Sequence, residues 1–285
     1  MNQYVRSTEK GASRLITVNG LVTRSYPSGE HDRVVHILTE THGRLSVMVK
    51  GVSSKKNSGA ASCTQLFTYG NYEIYRGRSG DLCWFRSGSV LASFYRLSED
   101  LSRMALAAYL CDIASEQSAE DEGDVETAEL LRMLLNSLYV LDRGGYSPAL
   151  VKGVFELRTA CLLGYRPDLT GCSLCGEEYP EQAYLDVMNG SLICADCQTK
   201  RNRLSERQAE LLEQDLRERR VICPLSASVL AAMRYAVTAP ERKIFSFSLK
   251  DTEEETCFER TAETYLLNQL ERDFDTLRFY RSVAD

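Results

Sequence analysis

The chain has 285 residues, a formal net charge of −6 and 10 cysteines. That length suggests two domains, and an apolar content of 44% is enough to build real cores. No run of about 18 apolar residues is present, so no membrane-crossing helix is expected. The polar segment Met1–Ser13 lacks the apolar stretch of a secretory leader. The expected location is therefore the cytoplasm, with no membrane partner.

The first part of the chain reads as β-structure. Arg14–Tyr26 alternates imperfectly and contains the β-branched Ile16, Thr17, Val18, Val22 and Thr23. Val34–Leu38 and Leu45–Val52 are two further strand candidates, joined by the turn Thr41-His42-Gly43-Arg44. Phe67–Tyr75 and Leu82–Tyr95 make about five strands, broken apart near Gly77 and Gly80. Five short strands fit a small Greek-key barrel of the OB type, and an SH3-like barrel fits the same string.

From Ser98 the period turns helical. Ser98 has the chemistry of an N-cap, with Glu99 and Asp100 in the favoured first turn. The acidic stretch Glu116–Glu126 reads as a solvated loop, and Leu131, Leu134, Leu135 and Leu138 mark a second helix. A third helix is punctuated by Ser147 as cap, Pro148 at the first position and Gly164 at the end. Further on, Ser205-Glu206-Arg207-Gln208 has capping-box spacing and predicts another helix start. Pro224 separates that helix from one over about Ala227–Val237, and a last helix is expected over Glu253–Arg272.

Two C-x2-C pairs, Cys172/Cys175 and Cys194/Cys197, lie 18 residues apart. That spacing suits a closed tetrahedral site of four thiolates. Asn189-Gly190 signals a type I′ hairpin turn that would carry the second pair back to the first, giving a zinc ribbon or finger over residues 170–199. One structural zinc per chain is the expected cofactor. Four protein ligands leave no open position, so the ion would stabilise and not catalyse. Cys63, Cys83, Cys111, Cys161, Cys223 and Cys257 sit singly among apolar neighbours and read as packing residues.

There is no P-loop, G-x-G-x-x-G, G-x-S-x-G or H-E-x-x-H, so no enzyme, catalytic residue or small-molecule substrate is expected. His31, His36 and His42 match no catalytic spacing and read as surface loop residues. Charge is distributed unevenly. Residues 1–80 hold 11 Lys/Arg against 5 Asp/Glu, whereas the other 205 hold 23 against 35. A basic segment on an acidic body points to a polyanion site. Its candidate contacts are Arg24, Arg33, Arg44, Lys50, Lys55, Lys56, Arg76 and Arg78. Tyr26, Tyr69, Tyr72, Tyr75, Trp84, Phe85 and Tyr95 interleave with them, as in surfaces that stack single-stranded bases. Of the adjacent pair Trp84 and Phe85, at least one must face inward.

The ordered set Gly29-Glu30-His31-Asp32-Arg33, Leu38-Thr39-Glu40-Thr41-His42-Gly43-Arg44, Lys50-Gly51, Tyr75-Arg76-Gly77-Arg78 and Phe94-Tyr95-Arg96-Leu97 resembles the RecO family of bacterial recombination mediators. Phe155-Glu156-Leu157-Arg158 through Leu163-Gly164-Tyr165, leading into the first cysteine pair, is similar to the same family over roughly residues 14–200. Leu66 departs from the family pattern, where proline is common. The resemblance implies an α+β multidomain chain. Its parts are an OB-fold DNA-binding domain over 1–80, whose last strand runs on to about 97, and a mostly α-helical domain over 98–285 with the zinc segment. It further implies a non-enzymatic, nucleoid-associated mediator that binds single- and double-stranded DNA and anneals complementary strands. With RecR and the single-strand-binding protein, such a mediator helps load the RecA recombinase. The rival reading is a zinc-ribbon protein-interaction scaffold without annealing activity.

Overall fold

The computed structural model describes residues 14–52, 58–77, 82–118, 125–178, 180–209 and 221–284. They divide into two compact units. One holds the residues up to Glu99 together with Cys111–Leu131, the other Asp100–Leu110 together with the chain from Arg132 onward.

The first unit is built on five strands: β1 (Arg14–Ser28), β2 (Asp32–Thr39), β3 (Gly43–Val49), β4 (Thr68–Arg76) and β5 (Cys83–Ser93). They close into a barrel in the order β1-β2-β3-β5-β4. All neighbouring pairs are antiparallel except β3 with β5. One face of each strand fills the barrel: in β3, Leu45, Val47 and Val49 are buried, while Arg44, Ser46 and Met48 are not. Ile16, Val18, Val35, Ile37, Tyr72 and Ile74 complete the interior. A short helix, α1 (Ser58–Cys63), packs Ala60 and Ala61 against this core, and the Tyr72 hydroxyl donates to the Cys63 carbonyl at 2.8 Å. The β2–β3 turn is pinned by Thr39, whose Oγ1 accepts from the His42 N–H at 3.0 Å and donates to the Gly43 carbonyl at 2.9 Å. Gly43 supplies the positive φ of 59° that the turn requires. Beside the departure at Leu66, Phe67 takes a φ of 59° with its ring fully buried and its N–H on the Val22 carbonyl at 3.0 Å.

The helices are α2 (Leu101–Gln117), α3 (Val125–Arg143) and α4 (Pro148–Leu162) before the cysteine segment. Ser98 is not the cap of α2. A 3-10 turn over Tyr95–Glu99 comes first, and the Asp100 carboxylate accepts from the Arg103 N–H at 3.0 Å. Glu116 and Glu126 lie in helices and not in a loop; residues 119–124 fall outside the described ones. Ser147 does cap α4, accepting from the Leu150 N–H at 3.1 Å.

The cysteine segment is more than a hairpin. Strands β6 (Asp168–Cys172), β7 (Gln182–Asp186), β8 (Ser191–Cys194) and β9 (Ile222–Ser226) form one sheet in the order β6-β8-β7-β9. Helix α5 (Ala195–Ala209) follows β8 directly, so Ser205–Gln208 lie inside it and start nothing. Pro224 is not a separator but part of β9, an edge strand where a missing N–H is tolerated. Helices α6 (Ala227–Thr238), α7 (Thr252–Leu270) and α8 (Asp275–Val283) complete the chain. Gly153 of α4 allows Phe258 of α7 to approach, since a Cβ there would lie 2.7 Å from its ring. Among the described residues, no helix is long and apolar enough to cross a membrane.

Candidate nucleic-acid surface and metal centre

On the barrel exterior, the register joins six side chains into one lateral row. Leu15 is opposite Tyr75, Tyr75 opposite Trp84, Trp84 opposite Met48, Met48 opposite Val34 and Val34 opposite Tyr26. Direct cross-strand partners share a face, so the row crosses all five strands on the outside. Trp84 is 38% exposed and Tyr26 41%, whereas Phe85 turns inward against the core. Lys50 Nζ stands 4.7 Å from the Trp84 ring centroid, and the Arg86 guanidinium 5.9 Å from that of Tyr75. The backbone next to Lys50 is fixed, since the Gly51 N–H donates to Asp32 Oδ1 at 2.8 Å. His36 lies in β2, not in a loop, and meets the Tyr26 ring edge-on at 5.5 Å.

The other cations are placed differently. Arg24 forms an ion pair with Asp112, whose side chain is only 8% exposed, and its Nη1 donates to the Tyr26 hydroxyl at 3.4 Å. Arg44 pairs with Glu116 at 3.5 Å. Arg33 donates to the Thr64 carbonyl at 3.4 Å, and Arg76 ends β4 opposite Cys83. Lys55, Lys56 and Arg78 lie outside the described residues. Tyr72 is core, and the Tyr69 hydroxyl donates to Glu40 at 2.7 Å. Arg86 was missing from the sequence-based set. Its signal was alternation, since it lies two residues from the outward Trp84 on one strand.

The four quartet sulfurs lie within 4.8 Å of one another. Four sulfurs around one ion at about 2.3 Å would lie about 3.8 Å apart, and Cys175 and Cys194 stand at 3.7 Å. The first pair forms a tight knuckle: the Gly176 N–H donates to the Cys172 carbonyl at 2.8 Å, with Gly176 at a φ of 80°. The second pair forms no such knuckle, because Cys194 ends β8 and Cys197 sits in the first turn of α5. The β7–β8 connection also differs. Four residues, 187–190, link the strands, and only Gly190 has positive φ, so no type I′ turn forms. Burial raises the Cys172 thiol, but N–H donors from Cys194, Leu174 and Cys175 outweigh it and bring the group down to about 6. The Cys194 N–H lies 3.3 Å from that sulfur. The sulfurs of Cys175 and Cys194 push Cys197 up to about 12. Four crowded thiolates therefore need a cation to be held ionised together, and this donor set can hold a metal ion.

Arg234 of α6 secures the site from outside. Its Nε donates to the Leu169 carbonyl at 2.6 Å, and Nη2 donates to Thr170 at 3.0 Å and to Glu178 at 2.5 Å.

The family model "Recombination protein O N terminal" matches residues 14–94, and "Recombination protein O C terminal" matches residues 98–278. The chain belongs to the RecO family. A DNA repair protein RecO of Acetivibrio thermocellus is 26% identical over 268 residues, 94% of this chain and 97% of that protein. One of Symbiobacterium thermophilum is 31% identical over 254 residues, 84% and 97% respectively. In this RecO-family chain, the motif residues Asp32 and Gly51 meet in a hydrogen bond beside Lys50, whose Nζ stands over Trp84.

Proposed function

We propose that this RecO-family chain is a non-enzymatic mediator of DNA recombination. It binds single- and double-stranded DNA on the outer face of the barrel and anneals complementary strands. With RecR and the single-strand-binding protein, it helps load the RecA recombinase within the bacterial nucleoid. The observation that carries the reading is the outward row of Tyr26, Met48, Trp84 and Tyr75, with Lys50 and Arg86 over its rings. Exposed rings offer stacking faces to unpaired bases, and the adjacent cations neutralise phosphate. Two strands neutralised on one surface no longer repel, which is the physical requirement for annealing.

The strand order and the parallel β3–β5 pair support assigning the barrel to the OB type. The break between the two family matches supports a DNA-binding domain ending near the last barrel strand, followed by a helical domain from about residue 98. The ion is proposed to be zinc, one per chain, because a closed set of four thiolates suits it and leaves no catalytic position. Its role is to hold the sheet of the helical domain.

Strand annealing with and without the single-strand-binding protein tests the reading. Acceleration that falls as salt rises is the expected result. Tight protein partners combined with no annealing would favour the zinc-centred scaffold instead.

A further inference from the structure

Cys223 and Cys257 come from different elements and face the same hydroxyl. Cys223 lies in β9 opposite Leu185, with Leu225 opposite Ala183 two residues on. Leu185, Ala183 and Leu225 are buried, so Cys223 belongs to the covered face of the sheet. Cys257 and Thr261 are one turn apart on α7. The Thr261 hydroxyl reaches both sulfurs, and Cys257 Sγ lies 3.4 Å from the carbonyl of Pro224, next to Cys223. Neither thiol is sealed off. Both are half-buried and line an open surface cavity of about 540 Å³ with Pro224, Arg260 and Thr264. The metal quartet uses neither of them.

We infer that Cys223 and Cys257 are a dithiol modification site that low-molecular-weight disulfides oxidise to an intramolecular disulfide, tying edge strand β9 to α7. The cavity admits the reagent, and the second sulfur makes the product intramolecular. In the first step the Cys257 thiolate attacks one sulfur of RSSR. A Cys257–S–S–R bond forms and RS⁻ departs. The Cys223 thiolate then attacks the Cys257 sulfur, the mixed S–S bond breaks, and a second RS⁻ departs. Both protein sulfurs are oxidised, the reagent is reduced, and the two protein protons end on two RSH molecules. Burial raises both thiols above their ordinary values, so exchange is slow at neutral pH and accelerates as pH rises. The proposal is independent of the DNA reading.

The test uses the full chain loaded with zinc, incubated with glutathione disulfide at about pH 8.5, near the ordinary thiol value. It is then alkylated and digested without reduction. Mass spectrometry is expected to find the Cys223 and Cys257 peptides linked, with two fewer alkylated thiols and no retained glutathione. C223S, checked for fold by zinc content, should instead retain one glutathione on Cys257. If that variant does not fold, C257S gives the same reading on Cys223. Wild-type protein carrying glutathione on both cysteines, or leaving both fully alkylatable, would overturn the proposal.

Discussion

Lys50 Nζ lies 4.7 Å from the centroid of the Trp84 ring, across a junction where β3 and β5 run parallel. Charge and stacking face thus occupy one spot. Removing the ring should reduce binding of single-stranded oligonucleotides about 5- to 150-fold, the equivalent of about 1–3 kcal/mol for a stacked base. Trp84→Ala should do this with little change in melting temperature, because the ring is at the surface. Fluorescence anisotropy and thermal melts read the two quantities.

Salt dependence should separate the cations. Lys50→Gln is expected to lower the log–log salt slope for single strands by about 0.7, one phosphate contact. Arg24→Gln should change that slope less, since its partner is Asp112. Instead it leaves a buried carboxylate without its ion pair, at about 1–3 kcal/mol of stability. Binding titrations over a salt series and denaturant melts provide the comparison.

The metal should matter for the helical domain and not for the barrel. Elemental analysis is expected to give one zinc per chain. Cys194→Ser should release it and destabilise the β6–β9 sheet, while oligonucleotide affinity stays within about twofold, under about 0.5 kcal/mol. Arg234→Ala should loosen the same segment by about 1–3 kcal/mol, because three carbonyls lose their donor. Zinc release to a chromophoric chelator would then be faster in both variants than in wild type.

A buried ionic cluster joins α4, α7 and α8. Lys152 Nζ lies 3.0 Å from Glu156, 2.7 Å from Glu263 and 3.4 Å from Glu259, and Arg281 bonds Glu263 at 2.5 Å. Tyr109 donates to Glu156 at 2.8 Å. Three carboxylates face two cations, and burial pushes Glu156 up to about 7 despite Lys152. The folded state therefore binds a proton on Glu156 that the unfolded state has lost. This contribution is full below about pH 4.5 and declines as pH rises toward 7. Glu263 is lowered by Lys152 and Arg281 against its burial, so its contribution has the opposite sign and is lost in acid. Glu156→Gln should flatten the decline between about pH 5 and 7 in thermal melts. Lys152→Met should cost about 3–5 kcal/mol, because it leaves the fully buried Glu156 without its cation.

The quartet was legible because two C-x2-C spacings admit few structures, and the five barrel strands because β-branched residues alternate. Contacts distant in sequence were not legible. Asp112 and Glu116 neutralise Arg24 and Arg44 from a helix whose apolar pattern says nothing about its acidic partners. Ser98 has the side chain of a cap, yet the preceding 3-10 turn moves the helix start past it to Asp100. Pro224 carries the signal of a break, and only its position on the edge of a sheet makes it strand. Individual aromatics could be named from sequence. Their assembly into one row depends on register across five strands, including the parallel β3–β5 pair that no turn signal announces.

Trp84 is the only tryptophan in the chain, so its emission reports directly on the row. The decisive measurement is its fluorescence during titration with a single-stranded oligonucleotide, with anisotropy of the labelled oligonucleotide followed in parallel. Base stacking on the row requires quenching that saturates with the anisotropy change and moves to weaker affinity as salt is raised. Full binding by anisotropy with unaltered Trp84 emission, and unaltered affinity in Trp84→Ala, would contradict it.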